Sequence, residues 1–299
     1  MLKRLHIYYK ERYPIFLRII LGIVVFGEIY FIVLLNQGVT KFNLGIQEVI
    51  GGYTVFAFLL WLRVADDLKD YETDKKLFPE RPLPSGRTKI KDVVISCAIV
   101  EAIAIILNVI FMPNIIFFII LYIYGYLMSK WFFQKSKIQP SLPLALITHN
   151  PVQLFINLYI ISFTVIKYNL NFVTLTTIMT LFTLYFPALI WEVSRKIRDP
   201  KKETEYTTYS KIFGYKKATK FVLVLTIMDI ITNFILVWNL SKLSVLVLFI
   251  LVSWMTYKFI EFINDPTKYE IVEKVERYTY LQESTMLLTV AIYLLVGKI

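Results

Sequence analysis

Long apolar runs separated by short polar segments dominate the sequence. Each run has the roughly 17 to 25 residues that a helix needs to cross a bilayer. The pattern predicts an all-α, polytopic membrane protein with nine transmembrane helices in a single domain, residues 1–299. The predicted spans are 14–35, 45–65, 92–111, 114–133, 141–163, 172–193, 218–239, 242–263 and 279–297.

The composition agrees with a membrane location. Of the 299 residues, 57% are hydrophobic and 16% are aromatic, which is outside the usual range of soluble globular domains. The single cysteine, Cys97, leaves no disulfide framework and no cysteine metal site, and two histidines, His6 and His149, argue against a zinc site.

The positive charge predicts how the helices are oriented. A net charge of +11 could suggest nucleic-acid binding, but the Lys and Arg residues lie between the apolar spans. Of the 33 Lys and Arg residues, 29 fall on the side that holds the N-terminus, and Lys41, Lys167, Lys242 and Lys298 fall on the other. Basic loops stay cytoplasmic, so we expect a cytoplasmic N-terminus, an outside C-terminus and no nucleic-acid partner.

An acidic stretch follows the second apolar run directly. Residues 66–74 contain four aspartates, and unpaired carboxylates at a membrane boundary are very costly. If the helix continues through the stretch, Asp67, Asp70 and Asp74 share one face and repel one another unless a cation lies between them. Oxygen ligands suit Mg²⁺ that also holds substrate phosphates, so this stretch predicts a magnesium diphosphate ligand.

This stretch resembles the first aspartate-rich motif of the UbiA superfamily of intramembrane prenyltransferases. That motif reads Asn-Asp-x-x-Asp-x-x-x-Asp and is followed by Arg-Pro-Leu-Pro-Ser-Gly. Asp67, Asp70 and Asp74 match the aspartates, residues 81–86 match without change, and Asp66 stands in place of the leading Asn. The resemblance implies helices around a central cavity, with the acidic motifs, which the charge pattern predicts to be cytoplasmic, at its mouth.

A second charged stretch, residues 192–203, resembles the second acidic motif of the same family. Glu192 and Asp199 match family acids, Arg195 matches a Lys, and Glu203 stands where Asp is usual. Lys196 occupies an Asp position, which leaves open whether this motif holds a metal ion of its own. The resemblance implies that the acids help to bind Mg²⁺. The basic side chains of Arg195, Lys196 and Arg198 are themselves suited to contact phosphate oxygens. An ordinary basic cytoplasmic loop is the alternative.

Other polar residues in or beside the spans are weaker candidates. Lys130 ends the fourth predicted span and is either a diphosphate ligand or a snorkelling anchor. Asn150 and Gln153 in the fifth span, and Asp229 in the seventh, either line an acceptor pocket or bond to neighbouring helices. The sequence leaves both readings open.

Together these features predict a membrane prenyltransferase that uses Mg²⁺ and an isoprenoid diphosphate and takes an aromatic or lipid acceptor. Asp67, Asp70 and Asp199 are the expected catalytic acids. The expected metal ligands are Asp67, Asp70, Asp74, Asp199 and Glu203; the expected diphosphate ligands are Arg81, Lys130, Arg195, Lys196 and Arg198; the expected acceptor or cavity residues are Asn150, Gln153, Glu192 and Asp229. A terpene cyclase with the same diphosphate chemistry is the main alternative, and a transporter is less favoured because the acids cluster at the predicted cytoplasmic ends.

Overall fold

The computed structural model describes residues 1–204 and 207–297, and these residues are helical almost throughout. Lys298, counted above on the outer side, lies outside the described residues. The helices, numbered in chain order, are α1 Leu2–Arg12, α2 Ile15–Asn36, α3 Ile46–Lys69, α4 Tyr71–Leu77, α5 Ile90–Phe111, α6 Ile115–Ser129, α7 Lys135–Ile138, α8 Leu142–His149, α9 Val152–Tyr168, α10 Leu175–Thr180, α11 Tyr185–Ser194, α12 Tyr209–Phe213, α13 Tyr215–Val237, α14 Lys242–Asn264 and α15 Ile271–Val296.

Within the described residues, eight helical segments are long and apolar enough to cross a membrane. They are α2, α3, α5, the pair α8 and α9, the pair α10 and α11, α13, α14 and α15, and they confirm an all-α polytopic membrane protein. The remaining predicted span, 114–133, corresponds to α6. Its 15 residues extend about 22 Å, which is less than the roughly 30 Å of the hydrocarbon core.

Local chain geometry explains why several predicted spans are interrupted or shortened. Pro151 has no N–H to donate and separates α8 from α9. Leu184, at φ 62°, turns the chain between α10 and α11. After α6, the residues of Trp131–Phe133 all have positive φ values, so the helix stops short of the predicted boundary.

The last helix begins earlier than the hydrophobicity pattern predicts. Residues 270–277 carry mixed charges, and hydrophobicity alone places the last span only at 279–297. That boundary is wrong, because α15 already begins at Ile271. Ile271, Val275 and Tyr278 follow helical spacing and are fully buried, so their packing extends the helix through the charged segment.

The chain folds into two compact units. Unit 1 consists of Met1–Gly27, Phe42–Lys135 and Ile166–Asn169. Its buried core joins α1, α3 and α5 through residues such as Tyr8, Phe56 and Val93. Unit 2 consists of Glu28–Lys41, Ser136–Val165 and the described part of 170–299. Its core is built mainly from α11, α13, α14 and α15.

Within unit 1, α2 and α3 approach so closely that only glycine fits at one position. A Cβ atom on Gly22 would lie 2.8 Å from the carbonyl oxygen of Gly52 and 2.9 Å from the Cβ of Phe56. Small residues allow membrane helices to pack backbone against backbone in this way.

We expect Gly22→Ala to lower the thermal unfolding midpoint of the protein in detergent. The added methyl group would meet backbone atoms that cannot rotate away, and overpacking of this kind costs about 1–3 kcal/mol. Gly27→Ala in the same helix is the matched control, because a Cβ there meets nothing within 4 Å. Equal midpoints for the two variants would contradict this account of the crossing.

Candidate active site

The first acidic motif lies at a kink between two helices of unit 1. α3 ends at Lys69, Asp70 adopts φ −100° and ψ 8°, and α4 begins at Tyr71. The hydrogen bonds continue across the kink, because Asp70 N–H donates to the Asp66 carbonyl at 3.0 Å and Asp74 N–H to the Asp70 carbonyl at 2.8 Å. The condition that one helix runs through the stretch is not met, because the helix is interrupted at Asp70 even though the hydrogen bonds continue. Asp67 and Asp74 are buried, whereas Asp70 is partly exposed.

Asp67 accepts hydrogen bonds from three side chains. Its Oδ1 accepts from Arg12 Nη2 at 2.5 Å and from Arg63 Nη2 at 2.9 Å. Its Oδ2 accepts from the Tyr8 hydroxyl at 2.8 Å and from Arg12 Nε at 3.3 Å. Two guanidinium groups thus supply, beside Asp67, the kind of positive charge that the aspartate pattern predicted a bound cation would supply. These guanidinium groups stabilise the ionised form of the carboxylate and fix its direction.

Tyr8 and Arg12 come from α1, whose sequence indicated only a basic segment. The pKa of the Tyr8 phenol is raised above its ordinary value, first by burial and then by the charge of Asp67. The phenol therefore stays protonated and serves as a hydrogen-bond donor. The two residues lie four apart on one helical face, but that spacing alone does not indicate a partner 55 to 59 positions away.

Asp74 is paired with Arg81 of the Arg-Pro-Leu-Pro-Ser-Gly segment. Arg81 Nη1 lies 2.7 Å from Asp74 Oδ2, and its guanidinium carbon lies 3.8 Å from the centre of the Phe78 ring. The segment turns back on itself, since Ser85 N–H donates to the Arg81 carbonyl at 3.0 Å and Gly86 has a φ of 74°. An earlier turn, in which the Arg81 N–H donates to the Phe78 carbonyl at 3.1 Å, brings the Arg81 side chain back to α4.

One pocket of unit 1 collects these groups. Its lining residues are Tyr8, Arg12, Asp67, Asp74, Arg81, Pro82, Leu83 and Pro84. Asp70 does not line it, and burial raises the pKa of the Asp70 carboxyl despite the opposing charge of neighbouring Lys69. Of the sequence-predicted residues, the pocket therefore brings together Asp67, Asp74 and Arg81.

A larger cavity of unit 1 contains Lys130. This cavity, of about 530 Å³, has mainly apolar walls that include Trp61, Val64 and Leu68, and Lys69 and Lys130 also line it. Lys130 caps α6, and its Nζ lies 5.9 Å from the centre of the Tyr126 ring. Lys130 is thus beside an apolar cavity rather than in the acidic pocket.

In unit 2, the first part of the second acidic motif forms local ion pairs. Arg195 binds Glu192 through two nitrogens, at 2.6 and 2.9 Å, and Lys196 Nζ lies 3.0 Å from the same carboxylate. Glu192 therefore neutralises Lys196, the residue that departs from the family pattern. The Arg195 guanidinium also lies 5.2 Å from the centre of the Trp191 ring.

The second part of this motif surrounds a cavity of about 220 Å³. Its charged lining residues are Arg195, Arg198, Asp199, Lys202 and Glu270. Asp199 is buried, and its Oδ1 accepts from the Lys201 N–H at 3.0 Å. Glu203 instead accepts from the Thr208 hydroxyl, at 2.9 and 2.8 Å, and from the Ser210 hydroxyl. Both Glu203 oxygens thereby hold the loop together.

Comparison with known proteins identifies the family. Residues 21–279 match the model of the UbiA prenyltransferase family. The chain belongs to the UbiA prenyltransferase family. The family predicted from the two motifs is thus confirmed, and this protein is a membrane-embedded prenyltransferase enzyme.

One solved structure has a similar fold over nearly the whole length of this UbiA-family enzyme. It comes from a study of digeranylgeranylglyceryl phosphate synthase in membranes. The match has a TM-score of 0.67 at 17% sequence identity and covers 97% of this chain and 98% of the other. No match was found among the curated proteins.

The donor set of the UbiA-family enzyme fits Mg²⁺ only if substrate supplies further oxygens. Asp67 and Asp74 offer the hard carboxylate oxygens that Mg²⁺ prefers, and both line one pocket. Among residues 1–204 and 207–297, no group of three or more His, Cys, Asp or Glu side chains is placed to hold a metal ion. Mg²⁺ commonly binds through one or two carboxylates together with phosphates and water, so the pocket suits a metal that arrives with a diphosphate.

In the fifth predicted span, the polar residues mostly hold an adjacent turn. Gln153 Nε2 donates to Asn157 Oδ1 at 2.9 Å, and Asn157 Nδ2 donates to the carbonyls of Leu181 and Thr183 at 2.8 and 2.5 Å. These bonds tie α9 to the turn between α10 and α11. The Nδ2 of Asn150 is buried and has no hydrogen-bond partner within the described part of the chain.

We expect Asn157→Ala to lower the thermal unfolding midpoint of the UbiA-family enzyme. The substitution leaves two carbonyl oxygens of the turn without their donor, and an unsatisfied buried polar group costs about 1–3 kcal/mol. Gln153→Met should have a smaller effect, because it removes only the donor that orients Asn157. A larger loss for Gln153→Met than for Asn157→Ala would contradict this assignment.

Asp229 lies in a buried polar cluster of unit 2. Asn233 Nδ2 donates to its Oδ1 at 3.2 Å, and Gln282 of α15 lies beside it. Several buried polar atoms of this cluster make no hydrogen bond of normal geometry within the described residues. They are Asp229 Oδ2, the Tyr278 hydroxyl, and Oε1 and Nε2 of Gln282. Contacts between helices therefore explain only part of the polarity at Asp229.

Proposed function

We propose that this UbiA-family enzyme is a Mg²⁺-dependent prenyltransferase that binds an isoprenoid diphosphate and transfers its prenyl group to an acceptor. The observation that carries the proposal is the pocket in which Asp67 and Asp74 lie beside Arg12 and Arg81. Carboxylates provide metal ligands, and arginines provide planar donors for phosphate oxygens. These groups are chemically complementary to a metal diphosphate, and the space between them, about 10 Å³, has to widen before one can enter.

The residues of the two motifs take distinct roles in this proposal. The proposed Mg²⁺ ligands are Asp67, Asp70 and Asp74 in the first motif and Asp199 and Glu203 in the second. Mg²⁺ held by these carboxylates would supply positive charge to the departing diphosphate. Arg81 donates to the phosphate oxygens and so stabilises the leaving group. Further proposed phosphate ligands are Lys130, Arg195, Lys196 and Arg198.

An apolar cavity would protect the reacting prenyl group from water. The walls of the 530 Å³ cavity in unit 1 offer such a surface for part of a prenyl chain. Cleavage of the carbon–oxygen bond to the diphosphate gives an allylic cation, which a nucleophilic atom of the acceptor captures with loss of its proton. The same proposal includes a single domain of residues 1–299 with nine helices around a central cavity, of which α6 is the fourth. It places the protein in the cell membrane, with the N-terminus and both acidic motifs in the cytoplasm and the C-terminus outside.

A lipid acceptor is the first choice to test. The structural neighbour is described as a synthase of digeranylgeranylglyceryl phosphate, which names a prenylated glyceryl phosphate. We propose that the acceptor of this chain is likewise a polar lipid, with an aromatic compound as the other class. The candidate acceptor or cavity residues are Asn150, Gln153, Glu192 and Asp229.

The test uses the purified protein in detergent with Mg²⁺ and geranyl, farnesyl or geranylgeranyl diphosphate. Each reaction is run without acceptor, with glyceryl phosphate lipids and with aromatic acids, and products are identified by mass spectrometry. A prenylated acceptor that is absent with Asp67→Asn supports the proposal. A cyclic hydrocarbon or alcohol formed without acceptor would show a terpene cyclase instead, and no consumption of any diphosphate under all conditions would contradict both activities.

A further inference from the structure

Helix α1 is held against unit 1 at several points along its length. Arg4 Nε lies 2.6 Å from Asp92 Oδ2, and the Tyr9 hydroxyl lies 2.6 Å from the Ser96 hydroxyl. Near its C-terminal end, Glu11 receives two bonds from Arg87, at 2.5 and 2.9 Å. The contacts of Arg4 and Tyr9, with the buried core residues of α1, fix the helix where Tyr8 and Arg12 reach Asp67. The exposed Glu11–Arg87 pair is an additional surface contact.

The hydrogen-bond donors around Asp67 occupy the lone-pair sites of its carboxylate oxygens. An ionised carboxylate has about four lone-pair sites. Two donors approach Oδ1 and two approach Oδ2, from Tyr8, Arg12 and Arg63. A metal ion can bind this carboxylate only after one of these donors moves away.

Of the two arginines that bind Asp67, Arg12 lines the pocket and Arg63 does not. Tyr8 is completely buried, and Arg63 lies one turn before Asp67 in the same helix. Arg12 comes from a separate helix, contacts both carboxylate oxygens and lines the pocket together with Arg81. Its guanidinium can bind phosphate oxygens with the same planar geometry that it now offers to the carboxylate.

We propose that Arg12 caps Asp67 while the pocket holds no substrate and moves onto a phosphate oxygen of the incoming diphosphate, which frees Asp67 for the metal ion. The inference rests on the proposed function, since it concerns the same pocket. It makes α1 part of the substrate site. It also means that the metal ion binds poorly alone and binds well together with the diphosphate.

Replacement of Arg12 should change two affinities in opposite directions. With Arg12→Gln, Mn²⁺ alone, followed by electron paramagnetic resonance, should bind about threefold to tenfold more tightly because its competitor is gone. Binding of farnesyl thiolodiphosphate at fixed Mg²⁺ should weaken about tenfold, the effect of one lost charge-assisted contact. Tyr8→Phe removes a donor to Asp67 without removing the arginine, so it should tighten Mn²⁺ binding without weakening the analogue.

Arg87→Gln is the matched control, because it loosens the Glu11 contact of α1 outside the pocket. We expect both affinities of this variant to stay within about twofold of the wild-type values. Unchanged or weaker Mn²⁺ binding by folded Arg12→Gln would overturn the inference, as would equal losses of both affinities in Arg12→Gln and Arg87→Gln. Failure of the proposed function gives a different result, in which the wild-type protein does not bind the analogue and Asp67→Asn changes nothing.

Discussion

Asp67→Asn is expected to reduce the rate of prenyl transfer by at least about 10²–10³-fold, the range for loss of a group that stabilises developing charge. The substitution keeps the shape of the side chain and removes the negative charge that the metal ion requires. It also leaves Arg12 and Arg63 without their carboxylate partner. The loss should therefore be found in kcat/KM for the isoprenoid diphosphate at saturating Mg²⁺, normalised to folded protein.

Asp66→Asn is the control for this prediction. The Asp66 side chain is 43% exposed, pairs with Lys69 at 2.8 Å and does not line the acidic pocket. The substitution also restores the Asn of the family motif. We expect kcat/KM of this variant to stay within a few-fold of the wild-type value. Activity of Asp67→Asn within tenfold of wild type would show that this carboxylate is not part of the chemistry.

Arg81→Gln is expected to raise KM for the isoprenoid diphosphate by about 10–100-fold, since a lost hydrogen bond to a charged group costs about 1.5–3 kcal/mol. Arg81 lies on the Phe78 ring and borders the pocket beside Asp74. Glutamine keeps a hydrogen-bond donor but loses the charge and the planar fork. Initial rates over a range of diphosphate concentrations at fixed Mg²⁺ measure the effect.

Arg87→Gln serves again as the comparison, because Arg87 belongs to the same turn region but pairs with exposed Glu11. Its KM should stay close to the wild-type value. If both variants raise KM equally, the effect comes from the turn as a whole rather than from the guanidinium of Arg81.

Much of the fold could be predicted from hydrophobicity because the apolar runs are long and the charged segments between them are short. Boundaries were harder to predict where packing outweighs local polarity. α15 begins in a charged segment because Ile271 and Val275 are buried. α6 ends early because three aromatic residues adopt positive φ values, which no hydropathy pattern encodes.

The candidate site was predicted only as far as a linear motif extends. Asp67, Asp74 and Arg81 lie within 15 positions of one another, and the structure places them in one pocket. Tyr8 and Arg12 were missed because they reach Asp67 from a separate helix, and the sequence contains no signal for that pairing. Arg63 is an i,i+4 partner of Asp67 within α3, which the sequence spacing could have indicated. The pairing of Asp74 with Arg81 and the contacts of Glu203 depend instead on how the loops turn.

The central claim is that the first acidic motif holds an isoprenoid diphosphate through Mg²⁺. Equilibrium binding of radiolabelled farnesyl thiolodiphosphate, with Mg²⁺ or with a chelator, tests it most directly in the wild-type protein, Asp67→Asn and Asp66→Asn. The account predicts Mg²⁺-dependent binding by the wild-type protein and Asp66→Asn and at least tenfold weaker binding by Asp67→Asn. Equal binding with and without Mg²⁺, or wild-type affinity in Asp67→Asn, would contradict it.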